Sequence, residues 1–245
     1  MRQQFCGRFL LALICLPLFA SAQSKDGKDV LKNILASLKE VRRIRYEYTV
    51  SMTYPDHSKQ KLNGQVYIDN NRKEMYNDND LQTMIYTGKW SYTADHTEKQ
   101  VVIINNEKHL SNDYRNEMEK QMFQNNSLSI FLDSIVMKRA KVKSYNKSHD
   151  TISIELSFPA NYAIRSIRLS YDDNHKKIIG YSTIMFYPLE GSARGQNLGT
   201  TNNITCSHFS DADAGSEYCI DNFFVLSNSK LTLKKYNSYK LSSKL

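Results

Sequence analysis

Six histidines, at positions 57, 96, 109, 149, 175 and 208, are the first residues to ask for acid–base or metal chemistry. Their spacing offers neither. No His-x-x-x-His or His-Glu-x-x-His pair exists, and most of the six fall in turns or polar stretches. Asp172-Asp173 lies between two apolar alternating runs, where turn chemistry favours Asp. A Gly-x-Ser-x-Gly elbow is missing, and the glycines from Gly191 to Gly199 lack the Gly-Lys-Ser/Thr ending of a phosphate loop. Asp211-Ala212-Asp213-Ala214-Gly215-Ser216-Glu217 copies the start of a calcium loop without the bidentate Glu at position 12, and reads as a solvated loop. These residues predict a protein with no catalytic site, no metal and no cofactor.

The first 22 residues carry a different message. Arg2 and Arg8 precede an apolar run from Phe9 to Ala20, and the stretch closes on Ala20-Ser21-Ala22. A basic head, a short apolar middle and small residues at the −3 and −1 positions make a secretory signal, with cleavage expected after Ala22 and the periplasm as destination. The apolar run is shorter than the roughly 20 residues a membrane-spanning helix needs. Cys15 follows bulky residues, unlike a lipoprotein signal, so residues 23–245 are expected to be soluble and to form one domain. Cys206 and Cys219 are then expected to form a disulfide, worth about 3 kcal/mol in the chain-entropy view; a zinc site would favour CxxC spacing.

The net charge of +8 comes from 33 Lys and Arg against 25 Asp and Glu, interspersed along the chain. Such a pattern describes a solvated surface and argues against nucleic acid as a partner. Lys59, Lys61, Arg72 and Lys73 are candidates for meeting an anionic membrane surface.

Behind these residues the element pattern is clear. Val30, Leu31, Ile34, Leu35, Leu38 and Val41 make one apolar stripe, predicting a helix over 25–43. From Tyr46 the period becomes two: Tyr46, Tyr48, Val50, Met52 and Tyr54 alternate with polar residues. Short strands are predicted at 62–69, 72–76, 82–87, 89–94 and 100–105, joined by polar turns, as in an antiparallel meander. Helical spacing returns over 114–124 and 128–139. Strands resume at 142–146, 151–158, 166–171 and 178–187. The Gly-, Asn- and Ser-rich residues 190–215 read as a mobile loop, and a last element at 221–235 precedes a Lys/Ser tail. The expected fold is mainly β (α+β), a curved antiparallel sheet with few helices.

Two readings of the apolar strand faces stand side by side. Tyr46, Tyr48, Val50, Met52, Tyr54, Val66 and Ile68, opposed by Ile152, Ile154, Leu156 and Phe158, suit the wall of an acyl-chain site. The same residues suit an ordinary core under a helix. The sixteen tyrosines invite a sugar-stacking reading, but most alternate along strands, where Tyr is a strong β-former.

The order of elements resembles the LolA/LolB/RseB-like periplasmic carrier superfamily. Gly64-Gln65-Val66-Tyr67-Ile68 matches its Gly-x-apolar-aromatic-apolar second strand, and Thr87-Gly88-Lys89-Trp90-Ser91-Tyr92 resembles its Asp-Gly-Lys turn and aromatic strand. Tyr46 to Tyr54 is similar to its first strand. The resemblance implies an unclosed β-barrel with an N-terminal amphipathic helix, central lid helices and an apolar cavity. It also implies lid residues at Met118, Met122, Phe123, Phe131 and Leu132, and lipid or lipoprotein acyl chains as partners. An alternative implied function is an RseB-like module docking on a membrane-associated regulator or a secretion apparatus. One departure matters: Asn70 and Asn71 stand where the best-known carriers have an Arg-Pro pair that latches the lid, with Arg72 adjacent.

Overall fold

The structure, a computed structural model, describes residues 27–36, 41–120, 139–188, 199–211, 218–228 and 230–245. Helix α1 covers 27–36 and seats Leu31 and Ile34, the inner residues of the sequence stripe, at 1% and 3% exposure. The period-two segments then form strands. β1 (Arg43–Thr53) and β2 (Lys59–Asp69) pair without a slip from Arg43 opposite Asp69 to Thr53 opposite Lys59. Their turn is closed by the Asp56 carboxylate, which accepts from the Ser58 N–H at 2.9 Å and its hydroxyl at 2.6 Å.

The meander continues through β3 (Glu74–Asn79), β4 (Gln82–Tyr86), β5 (Trp90–Asp95) and β6 (Gln100–Asn105). Two short helices follow, α2 (Asn106–His109) and α3 (Asn112–Glu119), the latter capped by the Ser111 hydroxyl accepting from the Tyr114 N–H. The second series comprises β7 (Lys141–Ser148), β8 (Thr151–Ser157), β9 (Ile164–Asp172), β10 (Lys177–Pro188) and β11 (Gly199–Ser210). A hairpin of β12 (Phe224–Ser227) and β13 (Lys230–Leu233) precedes the final strand β14 (Lys240–Lys244).

Twelve strands form one sheet in the order β14-β6-β5-β4-β3-β2-β1-β11-β10-β9-β8-β7. The sheet is curved and unclosed, as expected. Both its edges carry lysines, Lys141, Lys143 and Lys147 on β7 and Lys240 and Lys244 on β14, which discourage edge-to-edge pairing.

Two expectations are corrected. Residues 199–210, read as part of a mobile loop, are β11, inserted between β1 and β10 where it joins the halves of the sheet. Its Gly-Thr-Thr-Asn-Asn start carries little apolar signal, yet ladders on both sides satisfy its backbone. The Lys/Ser tail is likewise a strand, β14, parallel to β6.

Alternation sorts side chains into two cores. On β2, Val66 and Ile68 enter one buried cluster and Tyr67, between them, enters the other. The first cluster joins α1 to residues of β1, β2, β4, β8, β9, β10 and β11. Strands so far apart in the sheet share a cluster only on the inside of its curve. The second lies on the outer face of β2–β6, beneath Tyr218, Phe223, Phe224 and the β12–β13 hairpin. Tyr67, Tyr76 and Tyr92, at 2%, 4% and 1% exposure, belong here, so their rings are core and offer no face to a sugar.

Candidate functional site

The inner face changes character along its length. Under α1 it is closed: Tyr46, Val66, Ile68, Ile152, Ile154 and Leu156 are all at most 7% exposed. All six belong to the inner cluster that includes Leu31 and Ile34 of α1. Further along β1 the same face opens. Tyr48, Val50 and Met52 are half-buried, as are Leu62 on β2, Met185 on β10 and Ile204 on β11. Register places them together, Val50 opposite both Leu62 and Ile204, and Met52 opposite Asn202, which faces Met185. Tyr54, just beyond β1, donates from its hydroxyl to Gln60 Oε1 at 2.7 Å and sits 3.8 Å from the Met52 sulfur.

A polar stripe divides the two zones. The Tyr48 ring crosses over Gly64 of β2, and its hydroxyl donates to Asn77 Oδ1 and accepts from Asn79 Nδ2, each at 3.0 Å. Burial raises the pKa of this phenol, an effect only partly offset by the two amides, so the group stays protonated and fixed in place.

At the α1 end lies a cleft of about 510 Å³ whose apolar floor is Val41, Ile44, Ile178 and Phe209. Ile44 and Ile178 belong to the inner cluster, and the other two pack against it. Phe209 reaches this floor through a β-bulge: His208 and Phe209 both stand opposite Tyr46, between the pairs Glu47 with Ser207 and Arg45 with Ser210. His208 takes φ 54°, directing its ring to Glu47 at 3.0 Å, while Phe209 packs on Tyr46 with ring centres 5.4 Å apart. Strict alternation would have exchanged the two, so sequence reading missed Phe209; β-branched Thr205 beside Ile204 and Cys206 was the one available sign of a strand here.

Asn70, at the position of the resembled family's latch arginine, has a different task. Its backbone N–H donates to Arg42 O and its Nδ2 to Val41 O, both at 2.8 Å, fastening the residues that lead into β1. Arg72 pairs with Asp69 at 3.9 Å. Of the predicted lid, Met118 on α3 packs against the inner cluster, and Tyr86 donates to Glu119 at 2.9 Å beside it. Met122, Phe123, Phe131 and Leu132 lie outside the described residues, as do the signal segment and residues 212–217 of the calcium-like run.

Cys206 and Cys219 are free thiols, which corrects the expected disulfide. Cys206 belongs to the inner cluster, whereas exposed Cys219 adjoins Tyr218 and Ile220 of the outer one, so the sheet itself separates them. Burial pushes the Cys206 thiol up to about 12. Iodoacetamide is expected to alkylate Cys219 in the native protein and Cys206 only after unfolding, read by peptide mass mapping.

On the outer face, the buried Thr83 hydroxyl meets the Asp78 carboxylate, His96 Nε2 at 3.1 Å and the Tyr236 hydroxyl at 3.0 Å. The Tyr239 hydroxyl lies 3.3 Å from His96 Nδ1. This network fastens the C-terminal segment beside a wide polar cleft of about 770 Å³. Among the described residues no group of three or more His, Cys, Asp or Glu is arranged to hold a metal ion.

No family model and no curated relative matches the sequence. Solved structures similar to it include an uncharacterized conserved protein from Thermus thermophilus, 8% identical, covering 87% of this chain and 98% of that one with a TM-score of 0.42. A LolA superfamily protein from Nitrosomonas europaea is 11% identical and covers 76% of this chain and 95% of its own, with a TM-score of 0.30. A DUF1329 family protein from Desulfovibrio piger is also 11% identical, covering 80% and 96% with a TM-score of 0.31.

Proposed function

We propose that this protein is an exported, non-enzymatic carrier or sensor that holds an acyl chain of a lipid or lipoprotein against the inner face of its open sheet. The observation that carries the reading is the apolar face continuing past the zone packed under α1. Val50, Met52, Leu62, Met185 and Ile204 stay half-buried there, on neighbouring strands and in register. A chain laid along them removes apolar area from water on both partners. At about 25 cal/mol per Å², roughly 300 Å² of buried area gives about 7.5 kcal/mol before the entropy of association is subtracted. The two methionines, flexible and polarizable, accept chains of differing shape. The segment ending at Ala22 supports the periplasm as the place of work.

The test is direct. Delipidated protein beginning at Gln23 is titrated with dansyl-undecanoic acid, and blue-shifted, saturable fluorescence is expected. Val50→Asp, which places a carboxylate on the chain's path, is expected to weaken binding at least tenfold with an unchanged circular dichroism spectrum. Absence of saturable binding by the unsubstituted protein would refute the carrier reading.

A further inference from the structure

Resting on that reading, we infer that the cleft at the α1 end of the sheet receives the anionic head of an amphiphile, a carboxylate or phosphate, with the start of its chain on Ile44, Ile178 and Phe209. The argument begins with the rim. Arg42, Arg43, His175, Lys176 and Lys177 all line this cleft. Three of them are already engaged. Arg43 Nε lies 3.1 Å from Asp69, His175 Nδ1 2.8 Å from Asp172, and Lys176 Nζ 2.7 Å from Asp173. Arg42 and Lys177 are exposed and have no ion pair among the described residues. Exposed Asp211 is the one carboxylate on the rim, so the uncommitted charge there is positive.

These two cations project from anchored backbone. Arg42 O and Val41 O are each held by Asn70 at 2.8 Å. Lys177 follows the 173–176 turn, in which the Asp172 carboxylate accepts from the backbone N–H groups of Asn174 and His175 at 3.0 and 2.9 Å. The Asp173 N–H donates to Asp150 O at 2.7 Å, and Lys147 Nζ sits 2.6 Å from the Asp173 carboxylate. An arginine fork and a lysine point charge on a fixed frame, above an apolar floor continuous with the inner core, suit one chemistry. The ligand is amphiphilic, with an oxyanion at one end. A cleft of about 510 Å³ admits the head and first methylenes of the chain.

The experiment compares ligands of one chain length on protein beginning at Gln23, by competition against the dansyl probe at neutral pH. Laurate is expected to displace the probe at least tenfold more effectively than neutral 1-lauroylglycerol. The preference is expected to disappear in the Arg42→Gln/Lys177→Gln double variant and to persist in Lys59→Gln/Lys61→Gln, which removes surface charge elsewhere. Lauroyl lysophosphatidic acid binding more tightly than laurate would support a phosphate source, and the reverse order a carboxylate source. Equal binding of laurate and lauroylglycerol overturns the anion site and leaves the carrier reading standing. Binding by neither overturns both. Displacement by inorganic phosphate alone overturns the amphiphile, because the floor would then contribute nothing.

Discussion

Gly64→Ala is expected to destabilise the protein by about 3 kcal/mol, at the upper end of what overpacking a closed site costs. A methyl group built at Gly64 lies 2.6 Å from Tyr48 Cζ and 2.7 Å from both the Tyr48 hydroxyl oxygen and the Asp78 backbone carbonyl. The ring can swing aside only by giving up its hydrogen bonds to Asn77 and Asn79. The carbonyl is part of β3 and paired with β2, so it moves only with the sheet. Urea denaturation of Gly64→Ala, Tyr48→Ala and the double variant separates the two contacts. Tyr48→Ala in the alanine background is expected to recover the part of the loss that belongs to the ring, about 1–2 kcal/mol of coupling between touching residues. A Gly64→Ala protein as stable as the parent would mean that the Tyr48 crossing is not the native arrangement. A glycine in a strand marks a close approach of this kind, and the strand-two motif of the resembled family thereby gains a physical reason in this chain.

Much of this was legible because alternation is a local signal. β6 spans the predicted 100–105 without change, and β1 to β5 differ from their predicted spans by only a few residues. The assignment of Tyr46, Val66, Ile68, Ile152, Ile154 and Leu156 to apolar faces was equally legible, since on each strand the residues alternate with polar or outward-facing neighbours. What escaped depends on partners distant in sequence. β11 is polar at its start and becomes a strand because β1 and β10 both present unpaired edges to it. Phe209 turns inward at a bulge that no periodicity announces. The outer core was invisible for the same reason: Tyr67 lies out of phase with Val66 and Ile68, and nothing local says that Trp90, Tyr92 and Ala94 pack on the opposite face of the sheet. Tyr67 packs on Tyr218 and Tyr92 on Phe223 and Phe224, all more than a hundred residues later. Whether a wall is core or ligand site was never a local property. It depends on what packs against the face: under α1 the wall is buried, and beyond the Tyr48 stripe Val50 and Met52 stay half-buried.

At the α1 end of the sheet, where Asp69 closes β2 opposite Arg43 and the turn into β3 begins, Asp69 is the anchor. The Asp69 carboxylate is completely buried. It accepts from the backbone N–H groups of Asn71 and Arg72, both at 2.9 Å, and from Arg43 Nε at 3.1 Å, while the buried Tyr67 hydroxyl donates to it at 3.4 Å. Burial alone would raise its pKa, but the two backbone donors and the Arg43 guanidinium outweigh that, and the carboxyl is held below its ordinary value. Asp69→Ala leaves a half-buried guanidinium and two turn N–H groups without their acceptor. The expected cost is about 3 kcal/mol, the lower end for a broken buried pair because Arg43 still reaches water. Asp69→Asn keeps the shape and one acceptor oxygen and is expected to cost about half as much. The sign of the pH dependence follows from the lowered value. The carboxylate's contribution is complete above the unfolded pKa of about 3.9 and is lost as pH falls through the lower folded value. Urea midpoints measured from pH 7 to pH 2 are therefore expected to converge for wild type and Asp69→Asn at the acid end, and to stay parallel above pH 5. A constant gap down to pH 2 would show that the carboxylate's charge contributes nothing. Loss of laurate preference in Asp69→Asn at neutral pH, with Arg42 and Lys177 intact, would tie the same anchor to the cleft it supports.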